Sequence, residues 1–207
     1  AMTETAEQAD WVLPASSQYE KAEATFFSAA FPENMFHLRP AILEPLEGTL
    51  SEPEIHSRLV QAAGVLDDID FDALRAAAEE GLQSFSEAFM NAALENKAVS
   101  EYGAVVLYET LGKTLPWEKQ GGAVLWFSCQ MVAQKYPEQV RSAGHTGEGA
   151  ELGNALFQAV LDGEDGVIFT RHTHEEAFDF LTTPDQRIHL DIKEMHTAVE
   201  GLIDAPV

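Results

Sequence analysis

Cysteine is nearly absent from this chain of 207 residues: Cys129 stands alone. One thiol excludes an intramolecular disulfide, a CxxC redox pair and any thiolate cluster for zinc or iron-sulfur built from this chain alone. That usage fits a reducing cytoplasm. Basic residues are scarce as well, 12 against 35 acidic ones, and the net charge of -23 disfavours nucleic acid and anionic membrane surfaces because no local basic patch intervenes. No run of about 18 apolar residues occurs, and the opening residues lack a basic region followed by an apolar one, so neither a membrane span nor a signal peptide is expected. Internal repeats and low-complexity tracts are also missing. Ala1 before Met2 reads as a vector remnant, with Met2 opening the gene segment.

What is present is 45% hydrophobic residues, enough for a real core. The expected fold is mainly α with a few short strands (α+β): a helical, bundle-like body from about residue 51 and an irregular segment rich in proline and aromatics before it. Pro14, Pro32, Pro40 and Pro45 forbid long helices in residues 1–50. Thr5 with Gln8 has the spacing of a capping box, and Trp11-Val12-Leu13 before Pro14 reads as a brief strand. From Ser51 the texture changes. Ser51 and Glu54 make a second capping box, followed by Ile55 and Leu59 on one face and a stop at Gly64. Phe71, Leu74, Ala78, Leu82, Phe85 and Phe89 recur at three and four, which predicts one long amphipathic helix over 71–95. Further helices are expected over 102–111, 124–136 and 150–161. Strands are expected near 167–171 and 187–192, with a short helix between them capped by Thr173 and Glu176. The domains read as 1–50 and 51–207.

Several patterns invite a chemical reading, each with a plainer one beside it. Asp68, Asp70 and Asp72 with Glu79 match positions one, three, five and twelve of a calcium loop, but Ala73 occupies the position that needs glycine. Acidic residues crowding a helix N-terminus explain the cluster better. His172, His174, Glu175 and Glu176 form a potential metal set, opposed by the role of Thr173 at a helix start, which splays the two histidines apart. Gly144, Gly147 and Gly149 precede a helix as in a phosphate loop, yet no strand feeds them and no lysine follows, so a connector is the simpler reading. Cys129, between Phe127 and Met131 on an apolar helix, reads as buried and structural.

The stretch Thr3-Glu4-Thr5-Ala6-Glu7-Gln8-Ala9-Asp10-Trp11-Val12-Leu13-Pro14-Ala15 resembles the TETAxxADxVLPA string of the large molybdopterin-dependent oxidoreductases, which include formate dehydrogenases and nitrate reductases. Glu20 to Phe27, Phe36-His37-Leu38-Arg39, Gly48 to Ile55 and Arg187 to Leu190 are similar to one subgroup of them, although Ala24 stands where glycine is usual. The resemblance implies that residues 1–50 are the remnant of a nucleotide-binding-like domain with a loop beside the pterin. It places Thr3, Glu4, Thr5, Glu20, Thr25 and Arg39 on the cofactor side. It also implies a parent enzyme holding molybdenum or tungsten through two molybdopterin guanine dinucleotides. The metal-ligand region and the C-terminal barrel of that family find no match here, so the chain is expected to be a catalytically inactive fragment without a cofactor of its own. Its partner is then the remainder of the parent oxidoreductase. The other reading is a stand-alone acidic helical interaction module that self-associates through Phe26, Phe27, Phe31 and Phe36, left exposed as an apolar patch.

Overall fold

A computed structural model of the chain describes residues 3–25 and 29–203, without side-chain placement at 25, 29, 30 and 203. Phe26, Phe27, Ala1 and Met2 lie outside the described residues. The chain is mainly helical with few strands, and it divides into a compact unit of residues 1–171 and a smaller one of 172–207. Part of the N-terminal segment folds into a sheet whose inner face packs on the helices.

A short helix α1 (Glu4–Glu7) opens the chain, followed by β1 (Glu23–Thr25), β2 (Ala29–Ala30) and β3 (Glu33–Arg39). β1 and β2 each run antiparallel to β3, with Thr25 opposite His37 and Ala29 opposite Asn34. The last strand, β4 (Val167–Arg171), also pairs with β3, bringing Phe36 opposite Val167. Alternation along β3 buries Phe36 and Leu38 and leaves Met35 outside, as period two requires for a sheet covered on one face. Two expectations for this region change. Trp11-Val12-Leu13 forms no strand, because the chain there meets only an isolated bridge between Ala15 and Leu50. The cap of α1 is Thr3, whose hydroxyl accepts from the Ala6 N–H at 3.2 Å, two residues earlier than the Thr5–Gln8 pattern suggested.

The helices follow in order: α2 (Glu52–Ala62), α3 (Phe71–Glu80), α4 (Leu82–Glu95), α5 (Lys97–Glu101) and α6 (Gly103–Leu107). A π-helical turn (Tyr108–Gly112) and a 3-10 helix (Trp117–Val124) lead to α7 (Leu125–Lys135), α8 (Pro137–Ser142) and α9 (Ala150–Asp162). The single helix expected over 71–95 is two. Gly81 has φ +136° and ψ 170°, a region open almost only to glycine, and it separates α3 from α4. Asp70 caps α3 by accepting from the Ala73 N–H at 2.9 Å, so at least one carboxylate of the calcium-like pattern serves a helix start. Ser51 stands at the N-cap of α2 without a side-chain bond there, and Glu54 turns elsewhere, so the second capping box does not form.

The core lies where α4, α7 and α9 meet. Phe85 and Phe89 each set an edge against Trp126 at 5.2 Å between ring centres, the geometry that aromatic quadrupoles favour. The Trp126 indole N–H donates to Asn154 Oδ1 at 2.9 Å, while Asn154 Nδ2 donates to Ser86 Oγ at 2.9 Å, so the buried amide is satisfied on both sides. Gln130 reaches the same oxygen at 2.7 Å. Its path explains Gly153: a Cβ there would stand 2.3 Å from Gln130 Oε1, and the side chain could not cross from α7 to Asn154.

The smaller unit holds a 3-10 helix (Glu175–Phe180) and α10 (Lys193–Ile203). Thr173 lies before that short helix, where its N–H donates to the Glu176 carboxylate at 2.8 Å. Residues 187–192 are not a strand. Alternation of Ile188, Leu190 and Ile192 supplies one face, but among the described residues no strand pairs with them, and Leu190 is 87% exposed.

Candidate functional site

The residues that the family resemblance singles out are spread over α1 and its cap, the turn before β1, and the paired strands β1 and β3. Thr3, Glu4 and Thr5 sit in α1 and its cap, all exposed. Glu20 closes a turn, its carboxylate accepting from the Ser17 N–H at 2.8 Å. Thr25 ends β1, and its backbone pairs with His37. Arg39, at the end of β3, donates to Glu23 Oε2 at 2.6 Å across the strand pair and lies 5.7 Å from the centre of the Tyr19 ring. Beside this pair, Lys21 reaches Glu52 at 2.5 Å and Glu23 at 3.8 Å. Burial raises the Glu52 carboxyl, but the Lys21 hydrogen bond and charge outweigh it, and the net direction is down.

Glu20 and Lys21 face a groove of about 200 Å³ whose other wall carries Glu54, Tyr108 and Trp117. Here the fold assembles charges that are far apart in sequence. Glu54 accepts from Arg58 Nε at 2.8 Å, from the Tyr108 hydroxyl at 2.9 Å and from Lys113 Nζ at 3.1 Å. Burial alone would raise this carboxyl, yet the three donors hold it at about 2. Burial and the Glu54 contact both push the Tyr108 phenol up. Lys113 would be lowered by burial but is raised on balance by Glu54 and the neighbouring acids. The Lys113 ammonium also stands 4.2 Å from the Tyr108 ring centre.

Next to Tyr108 in the π turn, Glu109 accepts from Ser57 Oγ at 2.5 Å, and its backbone carbonyl accepts from Arg75 Nε at 2.7 Å. Tyr108 and Lys113, five apart, would diverge on an α-helix; the wider π turn brings them together, and such turns recur at functional positions. This cluster was not anticipated. Its only trace in the sequence is Glu54, which the capping pattern claimed, and the Tyr108–Lys113 spacing has no meaning without the π turn. Chemically, the cluster keeps its carboxylate ionised, its amine protonated and its phenol protonated. It therefore clamps α2 to the π turn and offers no poised acid-base pair.

The other patterns resolve locally. Gly144 to Gly149 connect α8 to α9, with His145 Nε2 at 2.8 Å from the Ile168 carbonyl and Arg141 Nη1 donating to that of Gly147. His172 Nδ1 lies 3.4 Å from Glu176 Oε2, and among the described residues no three histidine, cysteine or carboxylate side chains gather as a metal site. Cys129 is buried, which pushes its thiol up to about 12. No helix among the described residues is long and apolar enough to cross a membrane. No family model, no curated protein and no solved structure matches the chain.

Proposed function

We propose that the chain is a segment of a molybdopterin-dependent oxidoreductase of the formate dehydrogenase or nitrate reductase kind, and that its role there is scaffolding. The observation that carries this reading is a mismatch between motif and packing. The most motif-like stretch, Thr3 to Leu13, contributes no buried residue, and Trp11 is 88% exposed with Val12 and Leu13 beside it. A tryptophan-valine-leucine run in water is a surface awaiting a partner. Ile42, Leu43 and Leu46 extend the same exposure on the loop after β3. In the parent, these residues pack against the rest of the nucleotide-binding-like domain, while Glu20 to Arg39 flank the cofactor loop and the helices from Ser51 onward form the outer body.

The residues present do not fit the pterin-bound metal on their own. Glu20 and Arg39 are committed to Ser17 and Glu23, and the lone thiol of Cys129 is held protonated inside the helical core. In the family that the chain resembles, the metal's protein ligand is a cysteine, selenocysteine, serine or aspartate upstream of the matching segment, so on this reading the ligands belong to another part of the parent. On this reading the isolated chain carries no molybdenum-dependent activity.

The exposed run also favours a second reading, a stand-alone acidic module that binds a partner or itself through this surface. Phe36, placed in that patch by its sequence, is buried at 8% exposure against α9 and β4, so the face is narrower than expected. Reading the gene upstream of the Met2 codon separates the two. An in-frame continuation bearing a cysteine cluster supports the oxidoreductase segment; a ribosome-binding site preceded by a stop codon overturns it and leaves the stand-alone module.

A further inference from the structure

Between the sheet and the paired helices α7 and α9 lies an apolar cavity of about 130 Å³. Phe36, Leu125, Cys129, Leu156 and Val160 form its buried floor. Val132 and Phe169 are half-buried at its mouth, and Ser128 is exposed there. We propose that this cavity is a binding site for a small, uncharged, apolar molecule of about the size of benzene or indole.

Volume and chemistry both point to that class. Well-packed interiors leave few voids larger than one water, and a water's share of liquid volume is about 30 Å³, so this space exceeds several waters. At its floor a water would find the weakly polar Cys129 thiol and little else, the Ser128 hydroxyl lying at the exposed rim, so water there is poorly held. An engineered apolar cavity of about 150 Å³ in another protein stays dry and takes benzene. No charged side chain lines the space here, so an ion entering it would lose its hydration without a counter-charge. The ligand's carbons would instead supply the dispersion contacts that the lining now lacks on one side. The mouth gives a route in, since it opens to solvent between the half-buried Val132 and Phe169 and the exposed Ser128. Cys129 reports on the site without being the site: as the only cysteine, it makes labelling specific.

The test uses the whole chain and indole as the probe. Indole is expected to raise the melting temperature in a concentration-dependent way. At ten times its Kd, it is expected to slow Cys129 reaction with a neutral thiol reagent roughly tenfold, the factor by which the vacant form is depleted. Val132→Phe, which sets a ring into the mouth, should abolish the indole-dependent stabilisation. Should that variant fail to fold, Ser128→Phe at the exposed rim serves the same purpose. Benzenesulfonate, of similar ring size but charged, should neither stabilise nor protect. Unchanged wild-type labelling at the solubility limit of indole overturns the proposal. So does protection by benzenesulfonate equal to that by indole, or full indole stabilisation in the folded mouth variant.

Discussion

The helices α4, α7 and α9 and the segment of residues 187–203 are written in similar language, apolar residues spaced by amphipathic periods, yet they end in opposite environments. Phe85, Trp126 and Phe157 are almost wholly buried, whereas Ile188, Leu190, Val199 and Leu202 are exposed. The difference lies in partners. Each apolar stripe of the first group faces another stripe within the same unit, and Asn154 locks the three helices in register by accepting from Trp126 and bonding Ser86. Within the smaller unit, one 3-10 turn and one helix are too little to enclose the apolar face of α10. Amphipathic period thus specifies a surface to be covered and is silent on whether the chain itself covers it.

The sharpest way to break this comparison is to empty the core. Phe85→Ala removes a fully buried ring that touches both Phe89 and Trp126. The expected loss is about 3–5 kcal/mol of unfolding free energy, from lost transfer and an unfilled cavity together. Urea denaturation followed by circular dichroism measures it; a loss below about 1 kcal/mol would mean that this trio is not the centre of stability.

The same contrast explains which parts of the fold were legible. The helices over 125–135 and 150–162 were readable because their apolar residues meet partners at helical spacing and no special backbone intervenes. The helix expected over 71–95 was right in its buried face and wrong in its continuity. The apolar phase passes through Leu82, while the break comes from the φ of Gly81, which no side-chain pattern records. The central strand β3 was missed inside a stretch read as irregular, although Phe36 and Leu38 alternate with His37 and Arg39. Prolines and aromatics around it drew the reading away from period two. Conversely, Ile188 to Ile192 alternates clearly and forms no strand, because a strand is made by a neighbour as much as by its own residues. Glu20, on the groove, and Arg39, on β3, could be named from a motif. Their actual partners, Ser17 and Glu23, could not, and the Glu54–Tyr108–Lys113 cluster joins positions more than fifty residues apart through a π turn.

An intermediate effect is expected where a polar cluster, in place of apolar packing, joins elements of the larger unit. Glu54 sits at about 2 in the folded protein against an ordinary 4.5, so its contribution is present above pH 4.5 and fades as pH falls toward 2. Glu54→Gln keeps the shape but gives up the charge-assisted bonds from Arg58 and Lys113, with a loss of about 1–2 kcal/mol at neutral pH. Urea midpoints of wild type and variant should therefore differ most at pH 6 to 7 and converge by about pH 2. A gap that stays constant across this range would show that the carboxylate's charge contributes nothing to the clamp.

The smallest effect belongs to the uncovered face. Leu190 is 87% exposed, so Leu190→Ala removes little area from contact with protein in either state. Unfolding free energy is expected to change by less than about 0.5 kcal/mol. The measurement is informative because the residue is large and apolar, and any protein surface that covered it in solution would make the truncation costly. A loss above 1 kcal/mol that grows with protein concentration would reveal self-association through residues 187–203. A concentration-independent loss of that size would place the missing cover within the chain. A near-zero value at all concentrations leaves the face bare in the isolated protein.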